Sequence, residues 1–178
     1  NFTPMQIAKY ISSIANGGTV VNPTIIKSIL NSDNTEVSRE EIEKYTNEKL
    51  GNENTDDGIT ISSESIAVAK EGMRMAASEA GGTAYNIFKN FNQEVAGKTG
   101  SAEAGKDKNG NDIVNAWFVC FAPFEKPEVA VVVMIENGGH GNYAAEVARD
   151  VLTQYFGINE TTEVNESLTA TPFVEQVR

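Results

Sequence analysis

The stretch whose residue types and spacing are most informative about chemistry is Val95-Ala96-Gly97-Lys98-Thr99-Gly100-Ser101-Ala102-Glu103. It admits two opposed readings. In the first, Gly97-Lys98-Thr99 closes a phosphate-binding loop of the form G-x-x-x-x-G-K-[ST]. That motif needs a glycine five residues before Gly97, where Asn92 stands, and a helix starting at the lysine, where Gly100 and Gly105 would interrupt it. The nucleotide reading is therefore rejected. Elsewhere the reactive inventory is thin. Any Ser-His or His-rich metal mechanism must rest on the single histidine, His140, and the spacing gives it neither a partner serine nor an orienting acid. Inside Gly138-Gly139-His140-Gly141 it reads as a loop residue. The lone Cys120 forms no intrachain disulfide and no cysteine-rich zinc site, and within an apolar strand it reads as an inert buried thiol.

The second reading takes Lys98-Thr99-Gly100 as the K-T-G element of penicillin-binding serine acyltransferases. On an edge strand, the Lys98 ammonium would sit near a substrate carboxylate and the nucleophile's proton. The Thr99 hydroxyl can donate to that carboxylate, and Gly100 leaves room for a substrate backbone along the strand. The Ser101 backbone N–H can then point at the carbonyl oxygen and stabilise an oxyanion. A tripeptide alone is weak evidence, so its surroundings must decide.

Those surroundings read as an alternation of helices with one antiparallel sheet. Thr3-Pro4-Met5-Gln6 has the pattern of a capping box with proline in the first turn, and Ile7, Ile11 and Ile14 follow at helical spacing until Asn16-Gly17-Gly18. An amphipathic helix so near the start needs something to pack on, which suggests that a fold begins upstream of Asn1. Thr19 to Val21 and Thr24 to Leu30 read as short extended segments, and a helix is expected from Arg39 to Leu50. Ser62 or Ser63 caps a further helix with Ile66, Ala69, Met73 and Ala76 in one stripe, stopped by Gly81-Gly82. A helical turn through Tyr85 to Phe88 leads to strands at Glu94 to Glu103, Ala116 to Phe124 and Glu128 to Glu136, with a turn over Lys106 to Asp112. The last two strands are apolar on both faces, as in a sheet covered on both sides. Whether Trp117, Phe118 and Phe121 are core or cleft wall, alternation alone leaves open. Asn142 would cap a final helix with Ala144, Ala148, Val151, Leu152 and Tyr155 on one face and Gly157 as its stop. The expected class is α+β, an antiparallel sheet sandwiched by helices.

Charge narrows the function further. The 178 residues carry 25 acids and 14 bases, a net charge of −11, which argues against a phosphate-binding surface and against nucleic acid. Nine acids against three bases lie between Asn31 and Asp57, and four acids against one base lie between Ile158 and Arg178. These read as a solvated acidic insertion, about residues 31–60, and a poorly ordered acidic tail over 158–178. No basic-then-apolar leader is visible, and no apolar run exceeds the length of Val129 to Ile135, far short of the ~18 residues a membrane span needs.

Taken together, the segments resemble class B penicillin-binding proteins. Thr3 to Ala8 with Ala15 to Thr19 is similar to the family's "TPLQLA … ANGG", and Gly72-Met73-Arg74 and Gly81-Gly82-Thr83-Ala84 resemble its approach to the K-T-G strand. Ala96 to Glu103 is similar to "AGKTGTAE" with Ser101 for threonine, and Ala116 to Pro123 to "AWFVGFAP" with Cys120 for glycine. Glu136 to Gly141 with Ala144 to Phe156 looks like the elongation-type subgroup. The resemblance covers residues 1 to about 157, read as the carboxyl-terminal part of a transpeptidase domain.

It implies a serine-type D,D-transpeptidase that cross-links peptidoglycan and needs no metal or organic cofactor. Lys98 and the Ser101 amide would be catalytic, with Thr99, Gly100 and Ser101 holding substrate. Implied partners are stem peptides, β-lactams, the remainder of the transpeptidase domain and, as a further candidate, a membrane glycosyltransferase of the elongation machinery. The implied location is the extracytoplasmic face of the bacterial membrane, through an amino-terminal anchor outside this sequence. The family's nucleophile motif, S-x-x-K, is missing, since no serine here has lysine three positions on. Ser32-Asp33-Asn34 spells the second motif, S-x-N, but follows the "TPLQLA" helix instead of preceding it and is set aside as a turn. The nucleophile is thus expected upstream of Asn1, and the chain alone is expected to be inactive. Two alternatives remain open at this point: a β-lactamase or β-lactam sensor of the same fold, and a non-catalytic docking domain.

Overall fold

In the computed structural model the described residues are 2–20, 23, 25–50 and 61–158. Helix α1 (Pro4–Ala15) opens with a complete capping box: the Gln6 N–H donates to Thr3 Oγ1, and the Thr3 N–H donates to Gln6 Oε1 at 2.8 Å. Two orphan donors of the first turn are satisfied, and Ile11, Ile14 and Ala15 are left to bury one face. α1 ends where Gly17 and Gly18 take positive φ. Among the described residues of the two expected extended segments no ladder forms. Leu30 alone makes an isolated bridge with Glu36 across a turn at Asn34, so these segments are corrected to loop, while residues 21, 22 and 24 lie outside the description.

The acidic stretch contains helix α2 (Arg39–Leu50), in which Ile42 is buried, Thr46 is half-buried and the charged positions are exposed. Its continuation over 51–60 and the tail over 159–178 lie outside the described residues. Helix α3 (Ser63–Ser78) is capped by Ser62, whose hydroxyl accepts from the Ser65 N–H. Its buried stripe is rotated from the expected one: Ala69 is exposed, and Ala77 is fully buried with Ile66. Small residues mark helix phase weakly, because alanine fits both a packed and a solvated face. The turn α4 (Tyr85–Phe88) follows.

Strands β1 (Ala96–Lys106), β2 (Asp112–Ala122) and β3 (Val129–Ile135) form an antiparallel sheet in the order β1-β2-β3, so within it β1 is an edge. β1 runs further than expected, to Lys106, and the turn is confined to 107–111, where Asp107 accepts from the N–H groups of Asn109 and Asn111. Helix α5 (Gly141–Tyr155) starts before Asn142, with His140 at the N-cap and no side-chain cap bond. Ala144, Ala145, Ala148 and Leu152 form its buried face, whereas Val151 and Tyr155, expected there, are exposed.

Pleating sends alternate β2 residues to opposite layers. Ala116, Phe118, Cys120 and Ala122 pack with α5, while Phe121 and Val119 pack with α1 and the Ile66 end of α3. The sheet is thus sandwiched by helices, and Phe118 and Phe121 are core. Fully burying each such ring is worth about 2–3 kcal/mol. Gly97 serves the same packing, since a Cβ there would stand 2.5 Å from Phe118 Cζ. The freed space lets Phe118 stack on Phe88 at 5.6 Å.

Candidate active-site strand

Lys98, Thr99, Gly100 and Ser101 lie within β1, opposite Val119, Phe118, Trp117 and Ala116. A strand in place of a helix start excludes the phosphate-loop reading. Peptide directions follow from the register. The Gly139 N–H donates to the Val114 carbonyl at 2.9 Å, so even-numbered β2 residues face the β3 side. Odd-numbered Trp117 and Val119 therefore face β1 and pair with Gly100 and Lys98. By the same alternation Thr99 and Ser101 turn their N–H and C=O groups to the open edge. The Lys98 ammonium donates to the Thr99 carbonyl on that edge.

Side chains divide between two cavities. Exposed Lys98 lines the larger one, about 660 Å³, with Tyr10 and Ile11 of α1 and with Trp117, Val119 and Met134 of the sheet. Trp117, left open by the sequence, is thereby cleft wall. A smaller cavity of about 290 Å³ is lined by Thr83, Thr99, Gly100, Ser101, His140, Gly141 and Asn142. Thr99 and Gly100 border both cavities, so the strand is the wall between them. Lys98 and Ser101 consequently serve opposite sides. The Thr99 hydroxyl donates to Thr83 Oγ1 at 3.0 Å. Thr83 and Asn142 were not singled out from the sequence as site residues, and His140, read as a loop residue, stands exposed at the same cavity.

Glycines set this geometry. A Cβ on Gly138 would stand 2.8 Å from Ile135 Cβ, and one on Gly141 would stand 2.8 Å from the Gly100 carbonyl oxygen. The loop can therefore lie directly on β1 and deliver His140 beside Thr99. Ser32-Asp33-Asn34 is tied up in its own turn, with the Thr35 N–H and hydroxyl both donating to Asp33. Those bonds hold the Asp33 carboxyl below its usual pKa, and neither cavity is lined by the triplet.

Behind β1, Arg74 of α3 binds three carboxylates: Glu71 at 2.6 Å, Glu94 at 3.0 Å and Glu79. The hydrogen bonds it donates, first to Glu71, then to Glu79 and Glu94, raise its pKa further, and the Arg74 bond lowers that of Glu71. Lys70 donates to the Ala15 carbonyl at 3.3 Å, where a cation meets the negative end of α1. Burial pushes the Cys120 thiol up to about 12, in keeping with an inert core residue. Among the described residues no cluster of three or more His, Cys, Asp or Glu is arranged to hold a metal ion, and no helix is long and apolar enough to cross a membrane.

A family pattern, the penicillin binding protein transpeptidase domain, matches residues 1–153, the span that carries the sheet, its helices and Lys98-Thr99-Gly100. The chain belongs to this family. It is 32% identical over 166 residues to the peptidoglycan D,D-transpeptidase MrdA of Haemophilus influenzae, covering 86% of this chain and 22% of that protein. Penicillin-binding protein H of Bacillus subtilis is 36% identical over 141 residues, covering 76% of this chain and 18% of its own length. Among solved structures, penicillin-binding protein A of M. tuberculosis, an imipenem acyl-enzyme complex, superposes with a TM-score of 0.63 at 26% identity, over 87% of this chain and 31% of that one. The chain thus spans about a fifth of the length of these curated relatives. The likeness to class B penicillin-binding proteins and the α+β sandwich expected from the sequence are both borne out.

Proposed function

We propose that this chain is the carboxyl-terminal portion of a serine-type D,D-transpeptidase that cross-links peptidoglycan stem peptides, with its nucleophile on residues outside these 178. The carrying observation is β1 itself: Lys98, Thr99, Gly100 and Ser101 on an edge strand between two cavities, with the Thr99 and Ser101 peptide groups directed outward. A donor peptide lying along that edge would present its terminal carboxylate to the Thr99 hydroxyl and the field of Lys98. A serine hydroxyl attacks the carbonyl before the terminal D-alanine and gives up its proton to a base. The oxyanion that forms accepts from the outward Ser101 N–H. Collapse breaks the peptide bond and releases D-alanine, which leaves with a proton on its amine. An amine of a neighbouring stem peptide then attacks the acyl ester and regenerates the serine. β-Lactams would acylate the same serine.

This role needs the remainder of the transpeptidase domain as partner and places the work outside the cytoplasmic membrane, with a membrane glycosyltransferase as a further partner. The test uses the full-length gene product that contains this chain. Fluorescent penicillin should label it, Lys98→Ala should slow labelling about 100- to 1000-fold, and peptide mapping should find the adduct on a serine outside these 178 residues. An adduct on a serine within them, or an unlabelled full-length protein, overturns the proposal.

A further inference from the structure

Thr83 stands 16 residues before Thr99, yet the Thr99 hydroxyl donates to it at 3.0 Å on the wall of the smaller cavity. The loop that carries Thr83 is built to hold it there. Gly81 takes φ +93, and Gly82 lies so close to the end of α3 that a Cβ would stand 2.4 Å from the Met75 carbonyl oxygen and 2.5 Å from that of Ala76. The Ala84 N–H donates to the Ala76 carbonyl at 2.9 Å, and the Gly82 N–H to the Glu79 carbonyl at 2.9 Å. The residues on both sides of Thr83 are thus pinned to the helix end. Buried Ala84 anchors the segment, and the Thr83 side chain is left exposed toward β1.

A threonine hydroxyl has one hydrogen and two lone pairs, and its hydrogen rotates to suit its partners. In this structure the Thr99 hydrogen is spent on Thr83. To donate to a substrate carboxylate, Thr99 must turn that hydrogen outward, which frees its oxygen to accept. The Thr83 hydroxyl, 3.0 Å away, can then donate to it. We propose that Thr83 is a positioning residue for the carboxylate-binding Thr99: it holds the Thr99 oxygen in place when the site is empty and donates to it when a carboxylate is bound. The second hydrogen bond in such a chain polarises the first and strengthens it. The inference rests on the acyl-transfer reading of β1 and adds a residue to its carboxylate-recognition machinery. No bond is made or broken at Thr83, so it acts through Thr99 alone.

The experiment measures the second-order rate constant for acylation of the full-length gene product by fluorescent penicillin, and by the methyl ester of the same penicillin, which lacks the carboxylate. Thr83→Val keeps the shape and removes the hydroxyl; it should lower acylation by penicillin about tenfold, the worth of one hydrogen bond. Thr83→Ser, which keeps the hydroxyl, should restore the rate to within about twofold of the parent, where a packing role would not. Thr83→Val should have no effect with the methyl ester and none when added to Thr99→Val, because the relay then has no carboxylate or no second hydroxyl. The proposal is overturned if Thr83→Val acylates at the parent rate, if Thr83→Ser is as slow as Thr83→Val, or if the valine penalties multiply. An unlabelled parent protein would instead sink the acyl-transfer reading, and this inference with it.

Discussion

Gly141, the first residue of α5, rests on the backbone of Gly100: a Cβ on Gly141 would stand 2.8 Å from the Gly100 carbonyl oxygen and 2.9 Å from its nitrogen. Both obstacles are main-chain atoms of a paired strand, so neither can swing aside as a flexible side chain could. The helix and the K-T-G strand are thereby locked at one separation, and His140, the residue before Gly141, is fixed beside Thr99. Gly141→Ala should cost about 1–3 kcal/mol of stability, as overpacking does, and should slow acylation by moving Thr99 and Ser101. Gly139→Ala is the control. It is strained by its φ of +71 but meets nothing within 4 Å, so it should lose stability with a smaller loss of acylation. Thermal melts and penicillin labelling of the full-length protein read both.

Lys98 should separate catalysis from stability. Its side chain is exposed, and among the described residues its ammonium donates to the neighbouring Thr99 carbonyl alone, so folding gains little from it. Lys98→Ala should leave the melting temperature unchanged while acylation falls about 100- to 1000-fold, the range seen when one preorganised electrostatic group is removed. A melting temperature that falls with the rate would make Lys98 a structural residue instead.

How much of this was legible in the sequence varied with the range of the interaction. The α1 capping box joins Thr3 to Gln6, three residues apart, and could be read directly. The strand carrying Lys98 to Ser101 was legible because its residue types stand together as a contiguous pattern. The close approaches of Gly82 and Gly141 were not, since a glycine required by a distant backbone looks like any loop glycine until the backbone is placed. The Thr83–Thr99 bond was hidden for the same reason. Arg74 falls between these cases: Glu71 is its helical neighbour at i−3, but Glu94 reaches it only once α3 lies against the start of β1. His140 was placed in the right loop, but its position at the N-cap followed from α5 starting at Gly141.

Cys120 gives a test of the core. Its thiol is fully buried between β2 and α5, and burial raises its pKa from 9.0 to about 12. Almost no thiolate exists in the native protein at about pH 8, so iodoacetamide should leave Cys120 unmodified until denaturant is added. The linkage has a definite sign. The unfolded thiol loses its proton near 9 and the folded one near 12, so in between the folded state holds the extra proton and stability falls as pH rises. Cys120→Ala should flatten that alkaline slope. Alkylation of the native protein at the unfolded rate would contradict the buried placement.

Arg74 offers the corresponding test on the acid side. Its guanidinium gathers Glu71 from α3, Glu79 from the residue after it and Glu94 from just before β1, and it sits 5.9 Å from the Phe124 ring centroid. It therefore fixes where α3 meets the strand that bears Lys98. Arg74→Gln removes the charge and leaves three carboxylates facing one another, which should lower the melting temperature at about pH 7. The Arg74 hydrogen bond, the largest cause, lowers the Glu71 pKa from 4.5. A depressed carboxyl contributes stability that is fully present above its unfolded pKa and is lost as pH falls through its folded value. The melting-temperature gap between parent and Arg74→Gln should therefore hold steady above about pH 5 and narrow as the pH falls further and Glu71 takes up its proton. A gap that stays constant down to about pH 3 would assign the loss to packing of the guanidinium on Phe124 instead of to its charge.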